Sequence, residues 1–158
     1  MLLNLGPVFE VEGAEIPFSY SFGAGEPLIP DPVSVEGRVY NKTGIVRLEA
    51  EAAFTVKTQC ARCGEPVLKE ERLPVVHILI RHAQSEDEDL YIAVDSAVLD
   101  LDALVAEDII LSLPQRYLCR EDCKGLCPMC GADLNRGSCG CKKRKDPRWD
   151  ALSEILNG

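Results

Sequence analysis

The sequence contains no apolar run approaching the roughly 20 residues that a membrane-spanning helix needs, and its start, MLLNLGPVFE, lacks the basic flank and long apolar core of a secretory leader. The expected location is the cytoplasm. Coiled-coil heptads and tandem repeats are absent. So are the Gly-rich phosphate loop, the G-x-S-x-G elbow and the H-E-x-x-H pair, and the acidic runs offer no paired acid and base beside an apolar cleft. These absences leave a non-enzymatic protein without a small-molecule substrate as the expectation. Histidine is scarce. His77 and His82 fall on opposite faces of an apolar strand pattern and read as core or edge residues rather than ligands.

Cysteine is what the chain has in excess, with eight in 158 residues. A reducing cytosol keeps thiols free and favours metal binding over four disulfides. An apolar fraction of 46% with 27% charged residues suits a globular protein of one domain with an appendage. Net charge is −9, unevenly spread: residues 1–118 carry 9 Lys and Arg against 20 Asp and Glu, whereas residues 119–158 carry 8 against 6. An acidic body thus precedes a mildly basic tail, the one region suited to face phosphate.

Residues 1–32 are punctuated by Gly and Pro, with short strand-like pieces at Val8 to Glu12 and Phe18 to Phe22 that suit edge strands and loops. From 33 to 57 the alternation is regular. Val33, Val35 and Val39 precede turn residues Asn41 to Gly44, and then Val46, Leu48, Ala50, Ala52, Phe54 and Val56 alternate with polar neighbours. This predicts a long antiparallel hairpin with one buried face. Its second strand runs into Cys60-Ala61-Arg62-Cys63-Gly64, a knuckle at a hairpin tip, after which residues 67–82 resume as strand. Val75 to Ile80 are apolar enough to be covered on both faces.

Gln84 to Asp89 reads as a solvated acidic loop, and Leu90 to Val94 as a short strand. Leu101 to Leu113 takes helical periodicity, with Leu101, Leu104, Val105 and Ile109 on one side, Asp100 or Asp102 at the N-terminus and Pro114 as the stop. A last amphipathic helix follows Asp146 as N-cap and Pro147, with Trp149, Leu152, Ile155 and Leu156 on its apolar face; at about ten residues it must dock to persist. The fold class is α+β, with an antiparallel sheet that could curl into a barrel, divided into a β-rich body at 1–118 and a Cys-rich tail at 119–158.

The cysteines fall into four pairs: Cys60-x2-Cys63, Cys119-x3-Cys123, Cys127-x2-Cys130 and Cys139-x-Cys141. Zinc takes four soft ligands in a tetrahedron, and two close pairs supply them with little strain. Eight thiols therefore predict two structural Zn2+ sites. Spacing alone does not fix which pairs combine. The favoured arrangement joins Cys127, Cys130, Cys139 and Cys141 as a local ribbon and Cys60, Cys63, Cys119 and Cys123 as a long-range staple. Iron–sulfur ligation uses the same donors, but its closely strung spacings are absent. A thioredoxin-like redox role lacks its βαβ setting. Arg136, Lys142, Lys143, Arg144, Lys145 and Arg148 form the one basic cluster, suited either to RNA phosphates or to solvating the flank of the last helix. Trp149 reads as that helix's core anchor.

The combination of C-A-R-C-G after a long strand, A-E-D-I-I-L-S-L-P, C-R-E-D-C-K-G-L-C-P-M-C-G-A-D-L-N, C-G-C and D-P-R-W-D-A-L resembles the bacterial and plastid YceD family over about residues 33–156. The resemblance implies a role in accumulation of large-subunit ribosomal RNA, hence in ribosome biogenesis, with a ribosomal RNA precursor or a ribosomal protein as partner. By motif matching it carries over the eight cysteines as metal ligands and no catalytic residue. Two other classes compete: a zinc-ribbon adaptor in transcription, and a metal-dependent RNA-processing enzyme, which would need an open metal position or a carboxylate cluster.

Overall fold

The computed structural model describes residues 1–81 and 91–141. Among these residues nine elements follow in order: β1 (Leu2–Asn4), α1 (Gly6–Glu10), β2 (Glu15–Phe22), β3 (Val33–Lys42), β4 (Ile45–Gln59), β5 (Pro66–Ile80), β6 (Ile92–Ala93), β7 (Val98–Asp100) and α2 (Leu101–Ser112). Five strands form one sheet in the order β2-β3-β4-β5-β6, and β1 pairs with β7 in a separate ribbon.

Period-two alternation becomes the core directly. Val33, Val35 and Val39 of β3 and Val46, Leu48, Ala52, Phe54 and Val56 of β4 are all buried. The β3–β4 connection is the two-residue loop Thr43-Gly44, with φ of 54° and 80°, the left-handed pair whose twist matches that of the flanking strands. Asn41 is buried beside this turn without loss, because its Nδ2 donates to Val8 O at 2.8 Å and its Oδ1 accepts from Gly44 N at 3.1 Å. Helix α2 lays Leu101, Leu104, Val105 and Ile109 into the same core. Asp100 caps it by accepting from the backbone of Asp102 and Ala103, and its axis is tied to β5 by His77 Nε2 and Asp108 Oδ2 at 2.7 Å.

The expected barrel is absent: the sheet is open, with β2 and β6 at its two ends. The apolar face is covered by α2 and the N-terminal segment, so burial does not require the sheet to close on itself. Pro17, inside β2, has no N–H to offer a further strand and suits an edge. The sheet is also not wholly antiparallel, since β6 runs parallel to the end of β5 and is shorter than the 90–94 strand expected.

Two further expectations fail locally. Residues 8–10 of the expected strand Val8 to Glu12 are helical instead, because Pro7 favours a first turn, Asn4 Oδ1 accepts from Gly6 N at 3.0 Å, and Leu5 and Val8 then share one buried face. Nor is β5 covered on both faces: Val75 and Leu79 are buried, but Val76 is 61% exposed. An antiparallel sheet needs only one packed face. His82, the 84–89 loop, Lys142, Lys143, Arg144, Lys145, Arg148, Trp149 and the C-terminal amphipathic segment lie outside the described residues.

Candidate metal centres

β4 and β5 stay paired up to Gln59 and Pro66, so Cys60 to Glu65 is the tip of the longest hairpin. Cys60 N donates to Glu65 O at 2.8 Å and Gly64 N to Cys60 O at 2.9 Å. The same two bonds recur after α2: Cys127 N to Ala132 O at 2.8 Å and Gly131 N to Cys127 O at 2.8 Å. Gly64 and Gly131 have φ of 75° and 72°, a left-handed conformation that a β-carbon would strain. Each turn thereby directs two sulfurs and several backbone N–H groups to one point.

The eight thiols gather in two groups of four, Cys60, Cys63, Cys119 and Cys123, and Cys127, Cys130, Cys139 and Cys141, with the sulfurs of each group within 4.8 Å of one another. This is the favoured pairing. Cys60 Sγ lies 3.7 Å from Cys123 Sγ, and Cys63 Sγ 3.6 Å from Cys119 Sγ. Disulfide sulfurs would be about 2.05 Å apart. Thiolates bonded at about 2.3 Å to one tetrahedral ion would be separated by about 3.8 Å, so the spacing fits ligands rather than disulfides.

The electrostatics of each group are equally suggestive. Backbone N–H groups, that of Cys119 foremost and then those of Arg62 and Cys63, lower the pKa of Cys60 to about 6. Those of Met129 and Cys130 do the same for Cys127, also to about 6. Cys119 is pushed up to about 12 by desolvation of its sulfur and by the neighbouring thiols, and Cys141 to about 12 chiefly by Cys130. Four thiols this close cannot all ionise against one another, whereas a divalent cation would stabilise all four charges.

Packing gives an independent reason for a metal. Among the described residues beyond Tyr117, only Cys123, Gly125 and Cys127 are buried, while Leu126 and Met129 are 45% and 55% exposed. A segment of this length with no apolar core requires another source of order. The two groups are also built into each other. Gly125, left-handed at φ 73°, presses against the first knuckle so closely that a β-carbon there would sit 2.9 Å from Arg62 O. Arg62 Nη1 donates to Cys123 O at 2.6 Å, and Leu126 N to Arg62 O at 3.1 Å. Ala61 N donates to Tyr117 O at 2.9 Å, joining the hairpin tip to the exit of α2.

A family model described as Large ribosomal RNA subunit accumulation protein YceD matches residues 48–156, a span that encloses all eight cysteines. The chain belongs to the YceD family. Among curated relatives, an uncharacterized protein of Mycobacterium tuberculosis is 32% identical over 117 residues, which cover 72% of this chain and 56% of that protein. An uncharacterized protein of Mycobacterium leprae is 25% identical over 130 residues, covering 79% and 59%. The chloroplastic Large ribosomal RNA subunit accumulation protein YCED homolog 1 of Arabidopsis thaliana is 24% identical over 155 residues, covering 78% and 48%. The chain thus spans about half the length of the curated relatives it matches. No solved structure matches it.

Within this YceD chain, Arg136 is the one member of the basic cluster among the described residues. It is held near Asp133 and Glu65, at 3.3 Å and 3.5 Å, and remains 81% exposed. Arg62, Gly125 and Asn135 were not singled out from the sequence. Arg62 was visible only as an interior residue of the C-A-R-C-G motif, and Asn135 only as the last residue of C-P-M-C-G-A-D-L-N.

Proposed function

We propose that this chain is a non-enzymatic ribosome-biogenesis factor that supports accumulation of large-subunit ribosomal RNA, and that both cysteine groups hold structural Zn2+. The observation carrying the functional part is the YceD match across residues 48–156. The name of the Arabidopsis relative agrees with it. Zinc is supported by the all-sulfur donor sets, the tetrahedral spacing and the paired knuckles. Four thiolates per ion leave no open position for water or substrate, so the metal would fix shape rather than activate a nucleophile.

Each centre of this kind carries a local charge of about −2 from four thiolates on one divalent ion. RNA contact then falls to the basic residues of the tail, foremost Lys142, Lys143, Arg144, Lys145 and Arg148, with Arg136 already engaged by two carboxylates. Such contact is largely electrostatic and weakens with salt. The partner in this reading is the large-subunit ribosomal RNA precursor, and the compartment is the cytoplasm, where thiols stay reduced. Among the described residues no helix is long and apolar enough to cross a membrane.

Depletion of the protein in its own cells should lower large-subunit ribosomal RNA relative to small-subunit RNA. A wild-type copy should restore the ratio, and a copy carrying Cys60→Ser and Cys119→Ser should not. An unchanged ratio on depletion would overturn the functional reading, whatever the metal content.

A further inference from the structure

Asn135 stands in the loop between the two ligand pairs of the second centre, after Cys130 and before Cys139, yet its side chain serves the first. Its Nδ2 donates to Cys123 Sγ at 3.6 Å, and its Oδ1 accepts from Lys124 N at 2.8 Å. The same Nδ2 donates to Asp133 Oδ1 at 2.8 Å, an oxygen that also receives Asn135 N at 2.9 Å. These partners fix the amide's orientation, because a flipped side chain would set a carbonyl oxygen against both a carboxylate and a sulfur.

The bond matters because Cys123 is only 1% exposed, so water cannot solvate its sulfur. A thiolate on a metal gains from an N–H donor, which spreads its charge and holds its orientation. The loop that carries this donor has little else to order it. Its residues bury no apolar side chain, and among the described residues it is tied back to the 124–127 segment by Cys127 N to Ala132 O at 2.8 Å, Leu134 N to Gly125 O at 2.9 Å and Lys124 N to Asn135 Oδ1 at 2.8 Å, and to the hairpin tip by the Arg136–Glu65 pair. Placement of Asn135 therefore depends on the pairs Cys127–Cys130 and Cys139–Cys141 being drawn together.

We infer that Asn135 is a positioning residue that couples the two centres: a metal in the second centre orders the 131–138 loop, whose Asn135 amide then strengthens the hold of Cys123 on the metal of the first. This rests on the reading of both groups as metal sites. Coupling of this kind is reciprocal, so the first ion raises affinity at the second by the same factor. Loading becomes cooperative, and a chain with one ion is disfavoured against chains with none or two.

The test measures zinc affinity of the first centre by chelator competition on the full chain, in a double-mutant cycle. Disabling the second centre with Cys127→Ser and Cys130→Ser should weaken the first by about 10-fold or more, as outer-shell losses at metal sites do. Asn135→Ala should weaken it comparably, and the two changes combined should cost no more than either alone. Cadmium NMR adds a readout that loop integrity alone would not give. With a resonance from each loaded centre, Asn135→Ala should move that of the first, which lies on another segment, more than that of the second, whose own loop carries the change. Additive losses in the cycle, or a shift confined to the second resonance, would overturn the coupling while leaving two zinc sites intact. A wild-type chain that takes up no zinc would overturn the metal reading, and the coupling with it.

Discussion

Replacing Cys60 or Cys119 with serine lowers the melting temperature of the whole chain by on the order of 10 °C, whereas replacing Cys127 or Cys139 lowers it by a few degrees. The difference follows from what each centre joins. Cys60 and Cys63 close the tip of the β4–β5 hairpin, and Cys119 and Cys123 follow α2, so the first centre links residues 56 and 63 positions apart in sequence. A link of that span removes much of the unfolded chain's freedom and holds α2 against the sheet. The second centre closes a short loop that, among the described residues, has no apolar core beneath it, and its loss reaches the body mainly through the roughly 10-fold weakening assigned to Asn135, about 1.4 kcal/mol. Thermal scans with zinc and reductant present check this. Equal shifts for both sets of variants would contradict the division into a staple and a ribbon.

Stripping the metal with a high-affinity chelator under reducing conditions produces the second large effect, and it is local. Amide exchange at Gly64, Leu126, Cys127, Gly131 and Leu134 should accelerate by about 1,000-fold or more, because opening these segments then costs little. Amides between β3 and β4 should retain most of their protection, since Val35, Val39, Leu48 and Val56 are buried independently of any cysteine. Hydrogen exchange read residue by residue separates the two groups. Knuckle amides that stay protected after complete metal removal would show that hydrogen bonds alone hold the turns.

Features that depend on local pattern were legible in the sequence. Alternation from Val46 to Val56 fixes which face of β4 is buried, and the i, i+3, i+4 spacing of Leu101, Leu104, Val105 and Ile109 does the same for α2. Close cysteine spacing made two four-sulfur groups visible, and their pairing follows from the hairpin tip and the helix exit meeting at Tyr117 and Ala61. What escaped depends on tertiary context. The three-residue pairing of β1 with β7 has no periodic signature, and α1 is a single turn started by Pro7. Openness of the sheet depends on α2 covering the face that a barrel would enclose. Asn135 looked like an ordinary loop residue because the sulfur it serves lies on the other side of its own knuckle.

The most direct test of the two-centre account is the metal content of the intact chain, purified under reducing conditions and weighed by native mass spectrometry. The account predicts two Zn2+ per chain, falling to none when one Cys60 or Cys63 change is combined with one Cys127 or Cys130 change. A chain that carries no metal, with eight free thiols or four disulfides, or one that carries iron and sulfide, would contradict it.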